Sequence, residues 1–145
     1  MQPRCLIAAA ALLPALAFAQ AHIQRHGGYT LRSSTVASTA IDPRTARKHG
    51  IEPAADRAVL NVLVQRGEGR RLRTVPAEVR ASARNLAGME RDIRLREARA
   101  DNGDISYVGT YTHAAHEVLD LTVHARPTGS NQQLSLRYRQ RLPGG

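Results

Sequence analysis

Cysteine is nearly absent from this 145-residue chain, which holds Cys5 and no other. One thiol closes no disulfide within a chain, so a disulfide-stapled miniprotein and a Cys-rich zinc module are both excluded. Tryptophan is missing, phenylalanine occurs once, and four tyrosines complete the aromatic set. The core must therefore be aliphatic. Single-strand nucleic-acid platforms stack bases on aromatic rings, and this scarcity argues against nucleic acid as a partner. Lysine is represented by Lys48 alone, so 20 of the 21 cations are arginine. Long apolar runs are lacking too. The stretch from Cys5 to Phe18 is interrupted by Pro14 and falls short of the roughly 20 residues a spanning helix needs.

What is present begins with an address. Arg4 precedes that apolar stretch, residues 1–19 hold no acid, and Ala17-Phe18-Ala19 has a small-x-small pattern. This predicts a secretory signal peptide over residues 1–19, cleaved after Ala19. Cys5 opens the apolar core instead of following it, which argues against a lipid anchor. Removal takes away the only Cys and the only Phe and leaves a formal charge of +8. A thiol-free chain suits an oxidising compartment, and the expected destination is the bacterial periplasm, with no stable membrane span after signal removal.

The rest of the chain alternates with period two, the mark of strands with one dry face. Val75, Ala77, Val79, Ala81 and Ala83 share one side, while Glu78, Arg80, Ser82 and Arg84 share the other. Leu119, Leu121, Val123 and Ala125 oppose Asp120, Thr122, His124 and Arg126 in the same way. Leu134, Leu136, Tyr138 and Leu142 oppose Arg137, Arg139 and Arg141. Residues 104–112 alternate through Ile105, Tyr107, Gly109 and Tyr111. Residues 57–66 are apolar on both sides, as in a central strand. Residues 29–36 and 90–99 complete about seven strands.

Turns fall at Arg66-Gly67-Glu68-Gly69, at the Asn102-Gly103 pair and at 127–131. One short helix is expected after Asp42, which caps it, with Pro43 at its first position and Gly50 ending it. The expected architecture is all-β: an antiparallel immunoglobulin-like β-sandwich, a small β-barrel being the alternative. It would occupy residues 29–142 as one domain, with a flexible segment at 20–28 and a flexible tail at 143–145.

The order of several segments resembles a small periplasmic proteobacterial family known as domain of unknown function four-four-two-six. The segments are Tyr29-Thr30-Leu31, Asp42-Pro43 through His49-Gly50-Ile51, and Arg57-Ala58-Val59-Leu60-Asn61-Val62. Asn85-Leu86-Ala87-Gly88, Arg126-Pro127 and Leu136-Arg137-Tyr138 follow. The resemblance implies a signal-bearing β-domain with no established activity, so it assigns no catalytic residue. The chain departs from the pattern in ending Leu142-Pro143-Gly144-Gly145 where members tend to end on an aromatic pair.

Catalytic signatures are scarce. No Gly-x-Ser-x-Gly elbow occurs, Gly67-Glu68-Gly69 lacks the lysine of a phosphate loop, and no cofactor motif is found. The metal candidate is His113-Ala114-Ala115-His116-Glu117, in which His113 and His116 would face one ion. A loop-sited metal-dependent or hydrolytic enzyme there is the alternative reading. The favoured one is a non-catalytic binding or accessory module of the cell envelope, monomeric or weakly associating. Arg80, Arg84, Arg94, Arg96, Arg137, Arg139 and Arg141 recur at spacings of two or four, which sets each group on one wet strand face. Neighbouring faces would form a basic plate for an acidic protein or an anionic envelope component.

Overall fold

Period-two sidedness becomes ten strands in the computed structural model, which describes residues 21–142. The expected signal segment and the tail at 143–145 lie outside the described residues. In chain order the strands are β1 (His22–His26), β2 (Tyr29–Ala37), β3 (Arg57–Arg66), β4 (Arg73–Thr74) and β5 (Ala77–Asn85). Then come β6 (Glu90–Ile93), β7 (Arg96–Arg99), β8 (Ile105–Thr112), β9 (Val118–Pro127) and β10 (Leu134–Arg141). A first sheet runs β1-β2-β3-β8-β7, with β4 also paired to β3. A second sheet runs β10-β9-β5-β6. Every pairing is antiparallel, and the fold is an all-β sandwich.

The alternating apolar residues face each other between the sheets. Leu31, Leu60, Val62 and Val64 come from the first sheet, and Ala83, Leu121, Val123 and Leu134 from the second. Leu60, Val62, Val64, Leu121 and Val123 have no solvent exposure, so each keeps the full benefit of burial, about 1.5–3 kcal/mol. Tyrosines supply the polar links across this interior. The Tyr138 hydroxyl on β10 lies 2.9 Å from Ser33 Oγ on β2. The Tyr107 hydroxyl on β8 accepts the Ala77 N–H of β5 at 2.8 Å. These bonds satisfy groups that would otherwise be buried without partners.

The helix α1 (Pro43–Lys48) forms as its capping residues dictate. Asp42 Oδ2 accepts the Thr45 N–H at 2.9 Å, and Gly50 leaves the helix at φ +61°. Ala46 and Ile51 pack on Val59 on the outer side of the first sheet. That contact explains why β3 is apolar on both faces.

Two expectations are corrected. The segment 20–28 contains β1, an edge strand in full register with β2 from His22↔Ser33 to His26↔Tyr29. Its polar sequence reads as a loose end, yet edge strands are commonly polar because only one side needs a partner. Residues 90–99 are not one strand. β6 belongs to the second sheet and β7 to the first, and the chain crosses between them at Arg94-Leu95. Gly109 makes room for the crossing, since a Cβ there would stand 2.5 Å from the Arg94 carbonyl oxygen.

Candidate anion-binding surface

The outer face of the second sheet gathers the wet residues of β5, β9 and β10 in register. Arg84 lies opposite Asp120, and Asp120 lies opposite Arg139. Ser82, Thr122 and Arg137 form the next row, and Arg80, His124 and Ser135 the one after. Arg141 sits opposite Val118. Five of the seven sequence-selected arginines therefore share one face: Arg80, Arg84, Arg137, Arg139 and Arg141. β9 lies between the two arginine-bearing strands, so the plate is interrupted by Asp120 and His124.

Arg94 and Arg96 do not join it. Arg94 is in the crossing segment and Arg96 starts β7 in the other sheet, and both line a separate cavity with His49 and Gly50. The spacing of two does keep the pair together, but at that cavity, because the sheet switch carries them away from the face of the second sheet.

Acids divide the face into two halves. In one, Glu78 is held by Arg126 at 2.7 Å and by Arg80 at 3.1 Å. Those two guanidiniums keep the Glu78 carboxyl below its ordinary range, Arg126 contributing most. In the other, Arg139 forks onto Asp120 with Nε–Oδ1 at 2.8 Å and Nη2–Oδ2 at 3.1 Å. The hydrogen bond from Arg139 is the main cause of the lowered Asp120 pKa, and the charges of Arg137 and Arg84 add to it. One guanidinium is thus paired with the carboxylate, and those of Arg84 and Arg137 act on it from farther off on the same face. Among the described residues, Arg84, Arg137 and Arg141 have no carboxylate within 4.0 Å.

The two loop histidines do not converge. His113 is buried beyond the end of β8, with Nδ1 donating to the Ala114 carbonyl at 2.9 Å. Its Nε2 is buried without a partner. His116 is exposed in the following turn at φ +57°. Glu117 accepts the Ala114 N–H at 2.8 Å and lies 3.6 Å from Arg91, so its carboxylate is already engaged. Among the described residues, no group of three or more His, Cys, Asp or Glu side chains is placed to hold a metal ion.

Sequence reasoning missed a second basic region. Arg25 and Arg32 on the β1–β2 hairpin, with Arg66, Arg70, Arg71 and Arg73 around the β3–β4 connection, form no ion pair among the described residues. The density of the 66–73 run, four arginines to one glutamate, was the available signal.

A family model described as "Domain of unknown function (DUF4426)" matches residues 23–143. No curated protein matches the chain. Among solved structures, a DUF4426 family protein from Pseudomonas aeruginosa PAO1 is similar at 20% identity, covering 86% of this chain and 96% of its own, with a TM-score of 0.73. A copper-bound variant of FetP from uropathogenic Escherichia coli strain F11 is similar at 14% identity, covering 88% of this chain and 92% of its own, with a TM-score of 0.59. Both likenesses concern the fold.

Proposed function

For a chain that belongs to the DUF4426 family, a domain of unknown function, we propose a non-catalytic binding or accessory role in the cell envelope. The partner is anionic, an acidic protein or an acidic envelope component, and it meets the outer face of the second sheet. One observation carries this reading: Arg84, Arg137, Arg139 and Arg141 share one sheet face, where Asp120 pairs with Arg139 alone and leaves the other three without a carboxylate within 4.0 Å among the described residues. Guanidinium exceeds carboxylate there, and guanidinium forks match carboxylate and phosphate oxygens.

The immunoglobulin-like description belongs to the same proposal. It is supported by the orders β2-β3-β8-β7 and β10-β9-β5, which are those of strands A-B-E-D and G-F-C in such sandwiches, with β1 and β6 as added edge strands. Export to the periplasm is part of it as well, supported by the pattern of residues 1–19. No helix of the described residues is long and apolar enough to cross a membrane.

Retention on heparin, eluted by salt, tests the surface. The wild-type protein should be held at low salt, and Arg137→Gln with Arg141→Gln should elute markedly earlier. Passage of the wild type without retention at low ionic strength removes the proposal, because unscreened guanidiniums act most strongly there. Release by osmotic shock of a form beginning at Gln20 tests the address.

A further inference from the structure

We propose that the cleft between the β1–β2 and β3–β4 connections is a binding site for a small hydroxylated carboxylic acid of monosaccharide size. It is separate from the surface proposed above, being on the other sheet. The cleft has a volume of about 360 Å³, within the usual range for small-ligand sites. Its walls come from two turns that the Gly67 N–H ties together by donating to the Gly28 carbonyl at 3.3 Å.

Two guanidiniums line it. Arg25 on β1 faces Thr30, and Arg32 lies two positions further along β2 on the same side. Neither has a carboxylate within 4.0 Å among the described residues. The Nε of Arg32 is buried and has no acceptor. A buried charged donor without a partner is costly, and an oxyanion held by the part of the same guanidinium that lines the cleft would offset that cost by neutralising its charge.

The other walls narrow the chemistry. Tyr29, with Arg66 stacked 5.4 Å over its ring, and Leu72 give an apolar side. Gly28 and Gly69 also line the cleft, and a Cβ at either would meet nothing within 4 Å, so the backbone at both turns is bare. Glu68 is exposed on the lining and leaves both guanidiniums unpaired. A dianionic phosphate would be repelled by it. A ligand with one carboxylate and several O–H groups satisfies all of these elements: its carboxylate sits with Arg25 and Arg32, its hydroxyls donate to Glu68, and its carbon skeleton rests on Tyr29 and Leu72.

The test is an amide-resonance titration of the purified protein with glucuronate, with glucose and inorganic phosphate as parallel probes. Glucuronate should give saturable shifts at Gly27, Gly28, Gly67 and Gly69, and glucose none. Arg25→Gln and Arg32→Gln should each weaken binding about tenfold, the loss of one forked guanidinium–carboxylate contact. Arg25 is exposed, so its variant keeps the test valid if Arg32→Gln fails to fold. Glu68→Gln should weaken glucuronate and strengthen phosphate. Arg137→Gln with Arg141→Gln should leave glucuronate binding unchanged, which separates this site from the surface of the second sheet. Absence of shifts at the turn glycines overturns the proposal, as does glucose binding as tightly as glucuronate or Arg25→Gln binding like the wild type.

Discussion

The outer face of the second sheet and the hairpin end of the first sheet are both rich in arginine, yet they treat it differently. On the second sheet each arginine stands in a lattice of neighbouring strands, and cross-strand partners include Glu78 and Asp120. Arg80, Arg126 and Arg139 are consumed in ion pairs with them. At the hairpin end, Arg25 lies on the edge strand β1, Arg32 on β2, Arg66 at the end of β3, Arg70 and Arg71 in the connection and Arg73 on the two-residue β4, with Glu68 as the one acid in that loop. Thr30 lies opposite Arg25, Ile23 and Leu63 opposite Arg32, and Tyr29 opposite Arg66, while Arg66 and Arg73 oppose each other, so the register brings no carboxylate into reach. Counting arginines therefore does not measure a basic surface. What matters is whether the register places an acid opposite, because paired charges cancel at short range while unpaired ones project their field over about 10 Å at 0.1 M salt.

The largest expected effects are where the two sheets meet, beneath both regions. Leu60→Ala on β3 and Leu121→Ala on β9 remove fully buried side chains and should each cost about 2–5 kcal/mol in urea unfolding. Similar losses indicate one shared core. A loss for one without the other would split the molecule and make the comparison one between independent units. Tyr138→Phe comes next. It leaves Ser33 Oγ, fully buried, without its cross-sheet partner, at about 1–3 kcal/mol. Thr35 Oγ1, 3.4 Å from the same hydroxyl, loses a weaker contact.

Asp120→Asn sharpens the contrast directly. It turns the most crowded part of the second sheet into something like the hairpin end, three guanidiniums without a carboxylate. Retention on an anionic support should rise about threefold at moderate salt. Arg80→Gln, by contrast, removes an arginine already engaged with Glu78 and should change retention little. If the two variants behave alike, local pairing does not govern this surface.

Much of the fold was legible because period two is a local property. Leu119, Leu121 and Val123 alternate with polar neighbours whatever the sheet order, and the Asp42-Pro43 cap needs only a few residues to specify a helix start. The sheet switch at Arg94-Leu95 was not legible, since alternation continues across it while the hydrogen-bonding partners change. Nor was β1, whose polar residues carry no apolar signal and whose order depends on pairing with β2. The site was harder still. Sequence places Arg80, Arg84, Arg137, Arg139 and Arg141 on wet faces, but the insertion of β9 between their strands is a long-range fact. The Arg25–Arg32 cleft joins two turns about 40 residues apart, and no spacing rule connects them.

The smallest expected effect separates, by pH, the outer face of the second sheet from the end of β1 that packs on Tyr138. His22 on β1 stacks on Tyr138 with ring centroids 3.8 Å apart and planes at 11°. Burial lowers its pKa from the ordinary 6.5. The unfolded chain then binds more protons than the folded one just below pH 6.5, so stability is full above that value and falls as pH drops toward the folded pKa. Glu78 and Asp120 act later. Their pKa values are held below 4.5 and 3.8 by Arg126 and Arg139 respectively, so their contribution is full above those values and is lost as pH falls through the depressed ones. Thermal melts across pH should show a shallow decline beginning near 6.5 and a separate acid decline below about 4. His22→Gln should flatten the first and leave the second, while Asp120→Asn should reduce the second and leave the first. A first decline that survives His22→Gln would mean that it does not come from the His22–Tyr138 stack and belongs to another group.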